Sequence, residues 1–329
     1  MSPSRPAPPR STAPNTVGPA DGTPSAAGPS PEEHLAELRL RVREAIAAGQ
    51  LDDALELCGQ AIESAQDLGD LEALDQARCN RAGILIARGD GEPSIRQMRQ
   101  ILMRSTSAAN KCQAAYNISK HHDSRRETER ATFYARLAID HADRAELPEL
   151  IAPSHNNLAN ILMLDSHFEQ ACGHYRRALG AAGAGHDAVE RAIVLANLGY
   201  CQTVLGNLGN GFDCLTRSLR MLRRLGAASW RHLPHLGLSY AYLEIARYRR
   251  ATEHAERALE LAEAAGDGEE HVKNALYLLG EAAKLGGQSI RAYEHFSELQ
   301  RRFYPNEPFV VDVLMAADIR KLINLMASS

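Results

Sequence analysis

Residues 156–179 read NNLANILMLDSHFEQACGHYRRAL, and residues 196–219 read ANLGYCQTVLGNLGNGFDCLTRSL. The two stretches share one order of small and large side chains, while their charges differ. In the first, Phe168, Ala171, Cys172, Tyr175, Ala178 and Leu179 recur at helical spacing; Leu158, Ile161, Leu162 and Leu164 form a second stripe before the Asp165-Ser166 turn. The pattern predicts two short amphipathic helices joined by a tight turn. Neither apolar face is large enough to be stable alone, so each pair must stack on its neighbours.

The unit recurs along the chain. A small residue opens the contact face of each second helix at Ala54, Ser94, Ala131, Ala171, Gly211, Ala251 and Ala292, at intervals of 40, 37, 40, 40, 40 and 41 residues. Twelve residues before each stand Val42, Ala82, Ser119, Ala159, Gly199, Ser239 and Gly280, six of them small. Two small residues at a fixed offset let the paired axes approach to about 8–9 Å. Bulky residues fill the rest: Leu158, Leu198, Leu238 and Leu279 precede the first column, and Met98, Tyr175, Leu215 and Phe296 follow the second.

Composition agrees. The 329 residues are 44% hydrophobic but only 5% aromatic, which suits helices packed through Ala, Leu and Gly better than sandwiches or barrels. A net charge of −4 with mixed signs provides no basic footprint for nucleic acid or an anionic membrane. Six cysteines without CxxC spacing read as reduced core residues. With no long apolar run and no signal-peptide layout, the expected location is the cytoplasm.

Residues 1–31 hold nine of the fifteen prolines and read as a disordered tail. It ends at SPEE, where Ser30 can cap, Pro31 suits the first helical position and Glu33 completes a capping box. Pro153 and Pro234 are expected near helix starts, and Gly266-Asp267-Gly268 is expected to end a helix.

The order of Leu, then Gly or Ala, then Ala, then Tyr or Phe, then Ala resembles the tetratricopeptide repeat, from residue 32 to about 304. A period of 40 in place of the usual 34 or so resembles the long-repeat branch seen in kinesin light chains, adaptors that orient cell division and sensor regions of bacterial transcription regulators. The resemblance implies an all-α, right-handed superhelical solenoid of seven helical hairpins plus a C-terminal helix. The expected divisions are a tail over 1–31, the repeat array over 32–305 and a capping helix over 306–329.

Asn80, Asn117, Asn157 and Asn197 stand one position before the first bulky column in four consecutive repeats. Asn is a mediocre helix former, so its recurrence needs a reason. In the relatives the resemblance points to, this position faces the concave groove, where a carboxamide can donate to and accept from a peptide main chain. The structural alternative is that the amides bond the neighbouring repeat. Adjacent groove positions carry Gln76, Tyr116, Lys120, Asn156, Asn160, Tyr200, Tyr240 and Tyr277. Arg39, Arg43 and Lys120 lie toward one end of this groove and Glu244 and Glu281 toward the other.

Enzymatic signals are missing: there is no GxxxxGK[ST] or GxSxG, and GNLGNG at 206–211 falls in a hairpin turn, not after a strand. The pairs His121-His122 and His167/His174 lack metal-ligand spacing. The expected function is a non-enzymatic scaffold or adaptor that binds a peptide or partner protein in the groove, with no cofactor and no metal. The alternative is a sensor that binds a small molecule or signalling peptide and controls a separate effector. Residues 308–326, PFVVDVLMAADIRKLINLM, are apolar on a wide surface and are expected either to cap the last repeat or to pair with a second copy in a homodimer.

Overall fold

The first helix starts where the sequence places its cap. In the computed structural model, which describes residues 30–181, 188–265, 269–320 and 324–325, Ser30 Oγ accepts from the Glu33 N–H, and the Glu33 carboxylate accepts from the Ser30 N–H. Pro31 takes the first helical position, where no donor is needed. The remainder of the expected tail, and the Gly266-Asp267-Gly268 break, lie outside the described residues.

Helices follow in chain-order pairs: α1 (Pro31–Ala47) with α2 (Leu51–Leu68), α3 (Leu71–Ala87) with α4 (Glu92–Arg104), α5 (Ala108–Ser124) with α6 (Thr128–Ala145), and α7 (Pro148–Leu164) with α8 (Phe168–Ala181). Then come α9 (Ala188–Val204) with α10 (Leu208–Arg224), α11 (His232–Glu244) with α12 (Tyr248–Ala265), α13 (Glu269–Leu285) with α14 (Ser289–Phe303), and a short α15 (Val310–Ala316). Among the described residues there is no strand.

One turn is reused within the pairs. Gly49, Gly89, Arg126, Ser166, Gly206, Ala246 and Gly287 all have positive φ, between 54° and 88°, and each stands five residues before the small residue of the following helix. In every case this residue's N–H donates to the carbonyl three residues back, and the next N–H to the carbonyl five back, as Ser166 does to Met163 and His167 to Leu162. These two bonds satisfy carbonyls that a helix C-terminus would leave orphaned. Glycine suits the left-handed conformation, whereas Arg126, Ser166 and Ala246 hold it against a Cβ clash of roughly 1–2 kcal/mol.

The small columns meet as their offset requires. A Cβ at Gly199 would lie 2.6 Å from Leu215 Cγ and 3.1 Å from the Gly211 carbonyl oxygen, so this helix pair depends on missing side chains. Where the first column holds serine, the hydroxyl is used: Ser119 Oγ donates to the Ala131 carbonyl and Ser239 Oγ to the Ala251 carbonyl, both at 2.9 Å.

From α3 onward the odd-numbered helices pack against one another in succession, while each even-numbered helix packs on the odd helices before and after it. The odd helices form an inner layer buried on several faces, as in α9 and α13; the even helices bury one stripe each.

Two expectations are corrected. Pro234 is the third residue of α11, but Pro153 is the sixth of α7, whose start is made by Pro148. Pro153 therefore sits where an N–H would normally bond the preceding turn. Among the described residues, the C-terminal helix expected over 306–329 runs from Val310 to Ala316. Lys284 Nζ donates to the carbonyls of Leu314 (2.6 Å) and Ala317 (2.8 Å), and Ala317 is extended at φ −111° and ψ 148°. A cation on the final carbonyls ends this helix, and the chain turns back across the inner layer.

Candidate functional site

The inner layer carries the expected site residues at successive levels, and the structure shows what their polar atoms touch. Asn117 on α5 is 3% exposed, and its Nδ2 donates to the Cys79 carbonyl on α3 at 2.7 Å. Asn157 on α7 donates to Ser119 Oγ on α5 at 2.8 Å, extending the serine link to Ala131 into a chain of two bonds. Asn197 on α9 donates to Asn160 Oδ1 on α7 at 3.2 Å, and the same oxygen accepts from the buried Tyr175 hydroxyl at 2.7 Å. Three amides of the column thus tie α5, α7 and α9 each to the odd helix before it. Asn80, on α3, is half-buried.

The flanking positions differ among themselves. Asn156 Nδ2 reaches Glu190 at 3.3 Å, and the Oδ1 atoms of Asn156 and Asn157 are buried without a partner. Lys120 pairs with Asp123 at 3.8 Å. Tyr116 is half-buried, and desolvation, reinforced by the Glu190 charge, pushes its hydroxyl up to about 12. Gln76 is half-buried with Oε1 unpaired, and Arg39 and Arg43 are exposed on α1.

Tyr200, Tyr240 and Tyr277 come from α9, α11 and α13 and are almost fully buried, with the Tyr200 and Tyr240 rings 6.0 Å apart. What covers Tyr200 is the chain's own C-terminal segment. The Tyr200 hydroxyl accepts from the Leu325 N–H at 3.0 Å and donates to Asn324 Oδ1 at 3.1 Å. Asn324 Nδ2 donates to the carbonyls of Met163 (2.7 Å) and Leu164 (3.3 Å) at the end of α7 and to Ser166 Oγ (3.2 Å) in the turn beyond. Asn274 on α13 donates its amide to the Leu325 carbonyl. Leu325 therefore has both main-chain groups read by side chains of the wall, one by a tyrosine and one by an asparagine.

Nearer α15, Arg320 approaches Glu244 at 3.4 Å and Glu281 at 3.9 Å, and pairs with Asp318 at 2.7 Å. Burial raises the Glu281 carboxyl above its usual range, opposed by its 2.6 Å bond from Lys284. Desolvation, helped by the Glu244 charge, takes Tyr240 up to about 12. A cavity of about 380 Å³ opens beside this segment, lined by Lys273, Asn274, Tyr277, Ile319 and Leu325 among others.

Solved structures share this architecture. A Rap protein complexed with competence and sporulation factor superposes with a TM-score of 0.64 at 14% identity, covering 86% of this chain and 80% of that one. The fold is that of a tetratricopeptide-repeat solenoid. The apo form of RapI gives 0.60 at 13% identity over 89% and 85% of the two chains. A signal transduction ATPase with a tetratricopeptide repeat sensor from Pyrococcus horikoshii gives 0.61 at 17%, over 90% of this chain and 46% of that one. No protein-family model matches the sequence, and no curated protein does.

The residues that meet the C-terminal segment share one wall of the inner layer, made by α7, α9, α11 and α13. Sequence reasoning placed Tyr200, Tyr240, Glu244 and Glu281 there and missed Asn274, Lys284 and the residues they hold. One signal for Asn274 existed: it stands one helical turn before Leu278, where the Asn column would have continued, and so shares its face.

Two histidine pairs lie between the helices of the tetratricopeptide-repeat pairs. His155 and His174 meet at Nδ1–Nδ1 2.9 Å, and His235 and His254, at equivalent positions two repeats on, meet at the same distance. One ring of each pair must donate and the other accept, so the accepting ring is neutral and the two cannot both be protonated at Nδ1. Desolvation, with the neighbouring ring second, pulls His155 down to about 4 and His235 to about 3.

Proposed function

We propose that the chain is a non-enzymatic interaction scaffold that binds a peptide or a segment of a partner protein on its concave wall. One observation carries this reading: Tyr200 and Asn274 hold the N–H and the carbonyl of a single residue in a non-helical segment. Side chains that satisfy main-chain groups grip a polypeptide with little regard to its sequence, and buried tyrosines supply rigid contact area at low entropic cost. The Rap neighbour, complexed with competence and sporulation factor, supports the reading by analogy of fold.

The sensor alternative is favoured by the reach of the C-terminal segment, which touches α7, α9, α11 and α13 and so reports on their relative placement. In that reading a bound peptide shifts the solenoid and controls a separate effector. The Asn column contributes chiefly by fixing the odd helices that present the wall.

Peptides selected from a display library against the full chain, followed by hydrogen–deuterium exchange of the complex, test the reading. Added protection concentrated on α7, α9, α11 and α13 is the expected result. Protection confined to even-numbered helices, or no selectable peptide, overturns it.

A further inference from the structure

The contacts of the C-terminal segment are specific in kind as well as place. The Arg320 guanidinium lies between two wall carboxylates, Glu244 and Glu281, contributed by different odd helices. Arg320 and Asp318 also pair with each other, so the segment arrives with its arginine already oriented. Asn324 then donates to two carbonyls at the end of α7. Leu325, 6% exposed, has its main chain held from both sides and its side chain against the 380 Å³ cavity. Asn324 and Met163 are 161 residues apart in a fold whose other contacts are mostly between neighbours, so this is no continuation of the repeat packing.

We propose that this wall recognises an extended peptide bearing a cationic residue followed, toward its C-terminus, by an amide and a leucine-like side chain, and that Asp318–Arg320 and Asn324–Leu325 of the chain itself occupy the site as a resident ligand. An outside peptide enters by displacing them. This rests on the peptide-binding reading above and adds to it the chemistry of the partner and the competitor it must outdo.

The recognition follows from the wall. The acid pair selects for a positive charge, and arginine, with a planar fork of donors, can address both carboxylates. The carbonyls at the end of α7 and the Ser166 hydroxyl suit a donor, which an amide supplies. The cavity beyond accepts a branched apolar side chain. Lys284, bonded to Glu281 and to the carbonyls that end α15, links the acid pair to the departure point of the segment.

Tethering sets how hard displacement is. A short tether holds a segment at an effective concentration on the order of 1 mM. Against a peptide with an intrinsic Kd of about 10–100 µM, that tether raises the apparent Kd by about 10–100-fold, since only the unoccupied fraction is competent.

The test uses the labelled peptide DIRKLINL, copied from residues 318–325, with fluorescence anisotropy on two full-length chains: wild type and the variant Arg320→Ala/Asn324→Ala/Leu325→Ala. The expected result is at least tenfold tighter binding to the variant, lost when the peptide's arginine is replaced by glutamate. Adding Asn274→Ala to the variant should also weaken binding. If circular dichroism shows the triple variant unfolded, the single variant Arg320→Ala serves, with a smaller gain in the same direction. Equal affinity for both chains overturns the displacement while leaving a peptide-binding wall intact. No binding to a folded variant overturns the recognition chemistry, and the display experiment then judges peptide binding separately.

Discussion

Replacing Gly280 by alanine adds one methyl group where the first small column, on α13, closes on α14. A Cβ at this position would lie 2.2, 2.5 and 2.7 Å from three atoms of the Phe296 ring, where ordinary contacts are 3.4–4 Å. The ring has no exposed surface and sits with Tyr277 at 6.4 Å and the Lys284 ammonium at 5.7 Å from its centroid, so it cannot swing aside without moving α13 or α14. Overpacking of this kind costs about 1–3 kcal/mol, and an overlap beyond 1 Å places it in the upper part of that range. Alanine recovers about 0.5–1 kcal/mol of helix propensity, leaving a net loss of about 1–2 kcal/mol. Gly173 on α8 is the control, because it is exposed and a Cβ there meets nothing within 4 Å. Gly173→Ala should therefore stabilise by about 0.5–1 kcal/mol. Urea denaturation followed by far-UV circular dichroism on both variants gives opposite signs if the contact is real. Phe296→Leu should absorb part of the clash, giving a coupling of about 1 kcal/mol or more in a double-mutant cycle. Stabilisation of both variants by the same amount would refute the close approach of α13 and α14.

Other perturbations have defined outcomes. Ser166→Gly and Ala246→Gly relieve the left-handed strain in two turns and should each raise stability by up to about 1 kcal/mol on thermal melting; Gly206→Ala should lower it by a similar amount. His155 and His232 are held near 4 and His235 near 3 in the folded chain, against about 6.5 when unfolded. The unfolded chain therefore binds more protons across that window, and stability falls as pH drops from about 6.5 toward 4, by up to about 1.4 kcal/mol per pH unit for each histidine. His155→Leu, which copies Leu195 one repeat on, should move the acid-unfolding midpoint to lower pH; an unmoved midpoint removes the pair from the cause. Asn117→Ala with Asn157→Ala deletes two inter-helix bonds and should cost about 1–3 kcal/mol of stability. Unchanged melting with weakened peptide binding would instead assign those amides to the ligand.

The repeat was legible because it is written in residues that steric contact cannot replace. The glycines and alanines of the two columns, and serines whose hydroxyls find a carbonyl across the contact, leave few alternatives for how paired helices lie. The recurrent turn was legible only where glycine marks it. At Arg126, Ser166 and Ala246 the backbone follows its repeat neighbours, and no local preference announces the conformation. The Asn column falls on odd-numbered helices, and the sequence left open which groups its amides meet, because ligand and adjacent helix offer the same carbonyl and hydroxyl chemistry. The C-terminal segment was misread for a definable reason. An apolar pattern states that a residue is buried but not against what: Val311 and Leu314 pack from a two-turn helix, and Leu325 packs after the chain has left it. The ending depends on Lys284, thirty residues upstream, which no local signal connects to Leu314.

The clasp made by Asn324 and Leu325 also bears on how the chain folds and yields to force. A solenoid of stacked hairpins behaves nearly as a one-dimensional array, in which each unit melts with its neighbours and end units fray first. Bonding Asn324 to α7 and Leu325 to α9 and α13 closes a loop of about 160 residues over the C-terminal half, while the cluster formed by α1 to α3 has its own separate core. The two halves should accordingly differ in cooperativity, with the N-terminal end unzipping progressively and the C-terminal half opening as one block once the clasp lets go. Forming the clasp is a non-local closure whose entropic cost grows only slowly with loop length. Under tension a protein built this way would extend first at α1 to α3 and then give a single larger rupture.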